Sequence, residues 1–297
     1  MKQRISFHDE IAKNKRSSYL LIGAVLAILL ALIYSISFAI GGDYFFIIII
    51  AGTAISILYV VGGYYKSADL AIASVNAKLA TGEQYKQYHN IVEGLTLASG
   101  LPKPKLYIMH DQQINAFASG RDPQHAVICV TDGALSKLSK HELEGVLAHE
   151  LSHIANYDIR FMTLTAVLVG MIAIISQIFL RSLFWSSMTG GRSNSKNNSN
   201  TIFMVIGIVL AILAPIVVAL VQLAISRKRE YAADSSAVKF MRTPTGLIGA
   251  LKKIQSNQPM KVSGAVSPLF LVKPTKEKEW FQTHPPLAKR IARLERM

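Results

Sequence analysis

Two uncharged apolar runs near the start of the chain restrict its fold more than any other feature. Residues 19–40 and 44–65 are each 22 residues long, and only Gly41, Gly42 and Asp43 separate them. About 20 helical residues cross the hydrocarbon of a bilayer, and a helix is one of the few forms that satisfies its backbone there. The pair therefore predicts a transmembrane helical hairpin with a tight turn. The first run is too long for the apolar region of a cleaved signal, and a second span follows at once, so it reads as a retained anchor. Composition agrees. Of the 297 residues 51% are hydrophobic and 17% charged, against about 45–50% and about 25% in soluble domains.

The flanks set the orientation. Lys2, Arg4, Lys13, Lys15 and Arg16 precede the first run, the turn at 41–43 carries no basic residue, and Lys66 follows the second run. The positive-inside rule puts both ends of this hairpin in the cytoplasm. Two further apolar stretches follow. Residues 161–180 lie uncharged between Arg160 and Arg181. Residues 202–225 run up to Arg227-Lys228-Arg229, with a kink expected at Pro215. Four spans are expected, the alternative for 161–225 being a buried or re-entrant hairpin. Either way an even number of crossings returns the chain to the same side. The net charge of +14 fits anionic lipid beside these spans, and no nucleic-acid-binding module is present.

The polar remainder predicts one soluble unit. Helical patterns cover Ala68–Ala80 and Glu83–Ala98, broken by Gly100 and Pro102. Lys105–Met109, Ile114–Ser119 and His125–Thr131 read as short strands, with a turn at Asp132-Gly133. The single cysteine, Cys129, excludes a disulfide framework and a multi-cysteine metal site, and its apolar neighbours predict a buried strand thiol. Ser139-Lys140-His141-Glu142 matches a capping box and starts a helix that runs to about Asn156.

On that helix lies His149-Glu150-Leu151-Ser152-His153. Residues four apart share a helical face, so both imidazoles can point at one ion while Glu150 reaches a water activated there. This is the pattern of helical zinc peptidases. Zinc needs a third protein ligand, and Arg229-Glu230-Tyr231-Ala232-Ala233-Asp234 supplies a candidate. Glu230 can ligate while Asp234, on the same face, accepts a hydrogen bond from a ligand imidazole. His153 precedes the third apolar stretch by eight residues, and Glu230 follows the fourth by five. An out-and-back hairpin over 161–225 would return both ligand sets to one membrane face.

These residues together resemble the HtpX-like membrane zinc proteases, relatives of the CAAX prenyl proteases. The likeness rests on the N-terminal hairpin, Asn115-Ala116-Phe117-Ala118, the segment 149–156, the second apolar pair, the segment 229–234 and Thr283-His284-Pro285. It covers nearly the whole chain; the Ser- and Asn-rich insert at 186–201 is idiosyncratic. The resemblance implies an α+β membrane protein, mainly helical, with about four transmembrane helices and a gluzincin domain holding a small β-sheet. It implies one zinc per subunit, ligated by His149, His153 and Glu230, with Glu150 as base. It further implies endopeptidase action on misfolded membrane proteins at the cell membrane, with both termini and the active site cytoplasmic. The expected layout is a cytoplasmic tail (1–18), a hairpin (19–65), two parts of the peptidase domain (66–160 and 226–297) and a second hairpin (161–225). An edge strand at Asn115–Ser119 can hold substrate by strand addition, with Phe117 alternatively core. His284 either stabilises the oxyanion or is a loop histidine fixed before Pro285-Pro286, and Arg290 can pair with a carboxylate such as Asp234. A narrow-specificity zinc peptide processor and an inactive membrane scaffold are the competing functions.

Overall fold

The computed structural model describes residues 7–40, 44–165, 207, 227–256 and 285–297. Most of the expected second hairpin, the Ser- and Asn-rich insert and His284 lie outside these residues.

Both apolar runs form helices: α1 (Phe7–Ile40) and α2 (Tyr44–Tyr65). Among the described residues one helix, Phe45–Tyr65, is long and apolar enough to cross a membrane by length and composition. Helix α1 does not start at the apolar run. It begins at Phe7 and spans 34 residues, or about 51 Å at 1.5 Å per residue. Its polar first third projects roughly 18 Å past the apolar part. Leu21 and Leu29 of α1 pack with Phe161 and Leu164 of a helical segment at 158–165, against Val60 and Tyr64 of α2.

The soluble unit is built on a four-stranded sheet. Helix α3 (Ser67–Ser74) leads into β1 (Lys78–Leu79). Helix α4 (Lys86–Ser99) precedes β2 (Lys105–Met109), β3 (Ala116–Ser119) and β4 (Val127–Thr131). Strand order is β1-β2-β4-β3, with β2 parallel to β4 and the other two pairings antiparallel. Both faces are covered. Leu106, Ile108, Ala116, Ala118, Ile128 and Val130 face α4 and the helix at Lys140–Ala155. Met109, Phe117, Val127 and Cys129 face Ala71 and Ile72 of α3 and Met162. Cys129 is the buried strand thiol expected, and burial pushes its pKa up.

Three local expectations are corrected. The helix predicted over Ala68–Ala80 ends at Ser74; Asn76 takes a left-handed φ of 51°, and the chain turns so that Lys78–Leu79 can pair with Tyr107 and Ile108. Tertiary pairing overrides local helix propensity there. The segment predicted as helix from Glu83 opens as a 3₁₀ turn, and α4 ends on Gly100 at a left-handed φ of 72°. Asp132-Gly133 is not a turn. Thr131 accepts a hydrogen bond from the Ala134 amide and caps helix α5 (Asp132–Lys137).

Helix α6 (Lys140–Ala155) carries the predicted capping box, with both reciprocal bonds between Ser139 and Glu142 formed. It packs on α7 (Arg227–Met241) and α8 (Thr245–Gln255), while α9 (Leu287–Leu294) closes the bundle. The α6–α8 crossing is a backbone contact. A methyl on Gly145 would overlap the Leu247 nitrogen, and one on Gly246 the His141 carbonyl. Gly145→Ala should therefore lower stability by about 1–3 kcal/mol, read as a fall in Tm of the purified protein. Gly94, on an exposed face of α4 with open space around it, is the control. Gly94→Ala should leave Tm unchanged or raise it.

Candidate metal centre

Four elements converge beside the sheet: α6, α7, the segment 158–165 and α9. Helix α6 presents His149 and His153 on one face, with ring centroids 4.8 Å apart and planes at 88°. Their Nε2 atoms lie 3.2 Å apart. Helix α7 presents Glu230, Ala233, Asp234 and Ala237 as its buried stripe. The two alanines let the helices approach until the Ser152 hydroxyl, which also bonds the His149 carbonyl, donates to the Ala233 carbonyl at 3.0 Å. The Glu230 carboxylate then faces both rings, at 3.6 Å from each Nε2. One ligand atom from each of His149, His153 and Glu230 lies within 4.8 Å of the others, and all three residues are buried.

The donor set suits a cation. Two imidazole nitrogens and a carboxylate oxygen aimed at one point are the His₂Glu ligands of a catalytic zinc site. Charge argues the same way. Glu150, Glu230, Asp234 and Asp158 are 2%, 3%, 0% and 1% exposed, while the cations among them are Arg290 and Arg229. Among the described residues, four buried carboxylates face two guanidinium groups and a His149 ring that its carboxylate neighbours hold protonated, and a divalent ion would take that proton's place in balancing them.

Each histidine is oriented through its other nitrogen. His149 Nδ1 lies 3.0 Å from Asp234, and His153 Nδ1 lies 3.1 Å from Asp158. Such partners fix the tautomer and ring plane. Asp234 is itself held by Arg290, whose Nε and Nη2 donate to its two oxygens at 2.9 and 2.6 Å. Burial and Arg290 push His149 toward its neutral form, but the hydrogen bonds its ring donates to Asp234 and Glu230 outweigh them and hold the ring at about 9. Metal binding there has to displace a proton. Burial also raises the Glu150 carboxyl above the usual range, opposed by the two histidines and by a hydrogen bond from the Ala118 amide. That places Glu150 against β3, one of the two edge strands.

The structure thus brings together His149, Glu150, His153, Glu230 and Asp234, and gives Arg290 the partner expected. Asn115, Ala116, Phe117 and Ala118 lie on or beside the edge strand, Phe117 within the second core face. His284 is outside the described residues. Asp158 was not anticipated; its only signal was a carboxylate five residues past His153, at the start of an apolar stretch. Asn14 was not anticipated either, because nothing in the basic tail marks it.

Residues 83–297 match the model of peptidase family M48. The chain is 41% identical over 295 residues to a "Protease HtpX homolog" of Thermoanaerobacter pseudethanolicus, covering 98% of both chains. It is 42% identical over 291 residues to one of Caldanaerobacter subterraneus subsp. tengcongensis, covering 96% of this chain and 95% of that one. Among solved structures it is similar to S. mikatae Ste24p at TM-score 0.48 and 19% identity, spanning 96% of this chain and 66% of that one.

Burial raises Asp234, but Arg290 and then His149 outweigh it and hold the carboxylate below its usual range. A depressed folded pKa contributes stability above the unfolded value of about 3.9, lost as pH falls through the folded one. Thermal unfolding followed from pH 7 downward should therefore show a drop beginning near pH 4 that Asp234→Asn reduces. Asp234→Ala removes both carboxylate bonds of the buried Arg290 guanidinium and, among the described carboxylates, leaves it only Glu230, and should cost about 3–5 kcal/mol in unfolding experiments at neutral pH.

Proposed function

The chain belongs to peptidase family M48, and on that premise we propose that it is a zinc endopeptidase cutting misfolded or damaged membrane proteins at the cytoplasmic face of the cell membrane. It is a membrane-associated metalloprotease, and its substrates are polypeptides. Zinc as the ion, the quality-control role and the cytoplasmic side are the proposal. So is the division into a tail (1–18), two hairpins (19–65 and 161–225) and two parts of one peptidase domain (66–160 and 226–297).

The observation that carries it is the convergence of His149, His153 and Glu230 from two separate helices, with Glu150 buried beside them. His149, His153 and Glu230 would hold the ion. When bound there, zinc supplies Lewis-acid polarisation of water and of the scissile carbonyl.

The chain's own groups do the rest. Glu150 acts as general base toward water and then as general acid toward the leaving amine. Burial has already moved its pKa toward the range where a carboxyl can serve both steps. Asp234 and Asp158 keep the two imidazoles in one tautomer and one plane. Strand β3, terminal in the sheet and bonded to Glu150 through Ala118, is where an extended substrate would add as a further strand. Its residues Asn115–Ala118 would read backbone more than side chain. That mode suits damaged proteins of unrelated sequence. His284, before the buried Pro285, is the proposed donor to the oxyanion.

Wild type and Glu150→Gln should be reconstituted in vesicles with a destabilised membrane protein. Both are expected to hold one zinc per chain by elemental analysis, with cleavage by the variant reduced about 10²–10⁴-fold. Undiminished cleavage by Glu150→Gln would remove the base from the mechanism, and a zinc-free active enzyme would remove the metal.

A further inference from the structure

We infer that Asn14, on the N-terminal helix, is a positioning residue for the metal ligand His153 and acts through Asp158. The inference rests on the reading of His149, His153 and Glu230 as the metal site.

The turn between α6 and the segment 158–165 carries the argument. Helix α6 ends at Ala155, two residues past His153, and the chain reverses through Asn156 and Tyr157. Tyr157 has a left-handed φ of 59°. Such a conformation is uncommon for a residue with a β-carbon and persists where the surroundings hold it. Asp158 follows directly, and its Oδ2 meets His153 Nδ1. The turn's geometry therefore decides where one ligand imidazole points.

Helix α1 grips this turn. The Asn14 amide donates to the Asn156 carbonyl at 2.9 Å and to Asp158 Oδ1 at 2.8 Å. Asn14 is 7% exposed although it lies in the polar first third of α1. The ammonium of Lys15 lies 4.2 Å from the centre of the Tyr157 ring. One oxygen of Asp158 thus serves His153 and the other serves Asn14, while Arg229 approaches Oδ1 no closer than 3.9 Å. An aspartate bonded through one oxygen alone can rotate about its terminal torsion, which is broad. Asn14 removes that freedom by holding the second oxygen. The contact spans 144 residues of sequence and joins the chain's first helix to its metal ligand. Release of α1 from the turn would loosen His153.

The test is metal affinity of the full-length protein in detergent or vesicles, measured with Zn²⁺ and Co²⁺ by chelator competition. Asp158→Ala should weaken binding by about 10–100-fold, as loss of a ligand's hydrogen-bond partner does. Asn14→Ala, one bond further out, should weaken it by about three- to tenfold. Asn14→Asp, which sets a carboxylate against Asp158, should weaken it more than Asn14→Ala. Tyr19→Leu, on α1 like Asn14, removes a ring that lies 5.8 Å from the Arg160 guanidinium without touching Asn14, and should bind like wild type. In the Asp158→Ala background, Asn14→Ala should add no further loss. The same loss in both backgrounds would overturn the inference, because Asn14 would then act by another route. Should Asp158→Ala not fold, the single variants decide. Asn14→Ala binding as tightly as wild type, or Tyr19→Leu weakening binding equally, would overturn it. A wild-type protein that binds neither ion would instead overturn the reading of the site itself.

Discussion

Two imidazoles on one helix can share a carboxylate from another only if the helices come within backbone distance, and the rest of this structure depends on that approach. The helix bearing His149 and His153 is small on the side it turns to its partners. Gly145 meets the backbone of Gly246 and Leu247, and Ser152 bonds across to Ala233. Ala233 and Ala237 are fully buried in the opposite helix. The small residues at the Ser152–Ala233 contact are the condition for Glu230 to stand 3.6 Å from both rings. A larger side chain at any of these positions would hold the helices apart, and the ligand cluster would open with them.

That approach also concentrates charge. Four carboxylates are buried around the two histidines, and each has a task that its surroundings define. Glu230 faces both Nε2 atoms, Asp234 and Asp158 stand behind the rings, and Glu150 faces the sheet edge. Arg290, fully buried on the last helix, ties Asp234 and approaches Glu230 at 3.3 Å. The carboxy-terminal helix is therefore part of the centre's electrostatics as well as of its packing. The first helix is joined to the same centre from the other side, through Asn14 and Asp158. Both extremes of the described chain thus bear on one small cluster.

Legibility from sequence followed the range of the interactions. The capping box at Ser139, the helix it begins and the histidine pair four residues apart depend on neighbours within two turns, and each was readable. The strands around Lys105–Met109 and Val127–Thr131 were readable from their apolar runs, though β3 came out shorter at its start than the pattern suggested. The region after Ser74 was misread because Lys78–Leu79 are defined by pairing to a strand nearly thirty residues away, which no local pattern encodes. That the first helix extends back to Phe7 was not readable, because its polar third packs on the turn after α6 through contacts far away in sequence.

What the sequence determined alone was the set of chemically capable residues and their local frames: two apolar hairpin helices, an H-E-x-x-H face, and a downstream Glu and Asp on one helical stripe. Short-range geometry suffices for these, because helical periodicity puts residues four apart on one side whatever surrounds them. Tertiary structure decided which carboxylate orients which histidine, that Arg290 is buried between Asp234 and Glu230, and that Asn14 reaches Asp158. Apart from His153 and Asp158, which a reversing turn brings together, those contacts join residues 56 to 144 positions apart. They exist only because burying the apolar faces of separate helices brings polar groups together, where each must find a partner or carry the cost of desolvation.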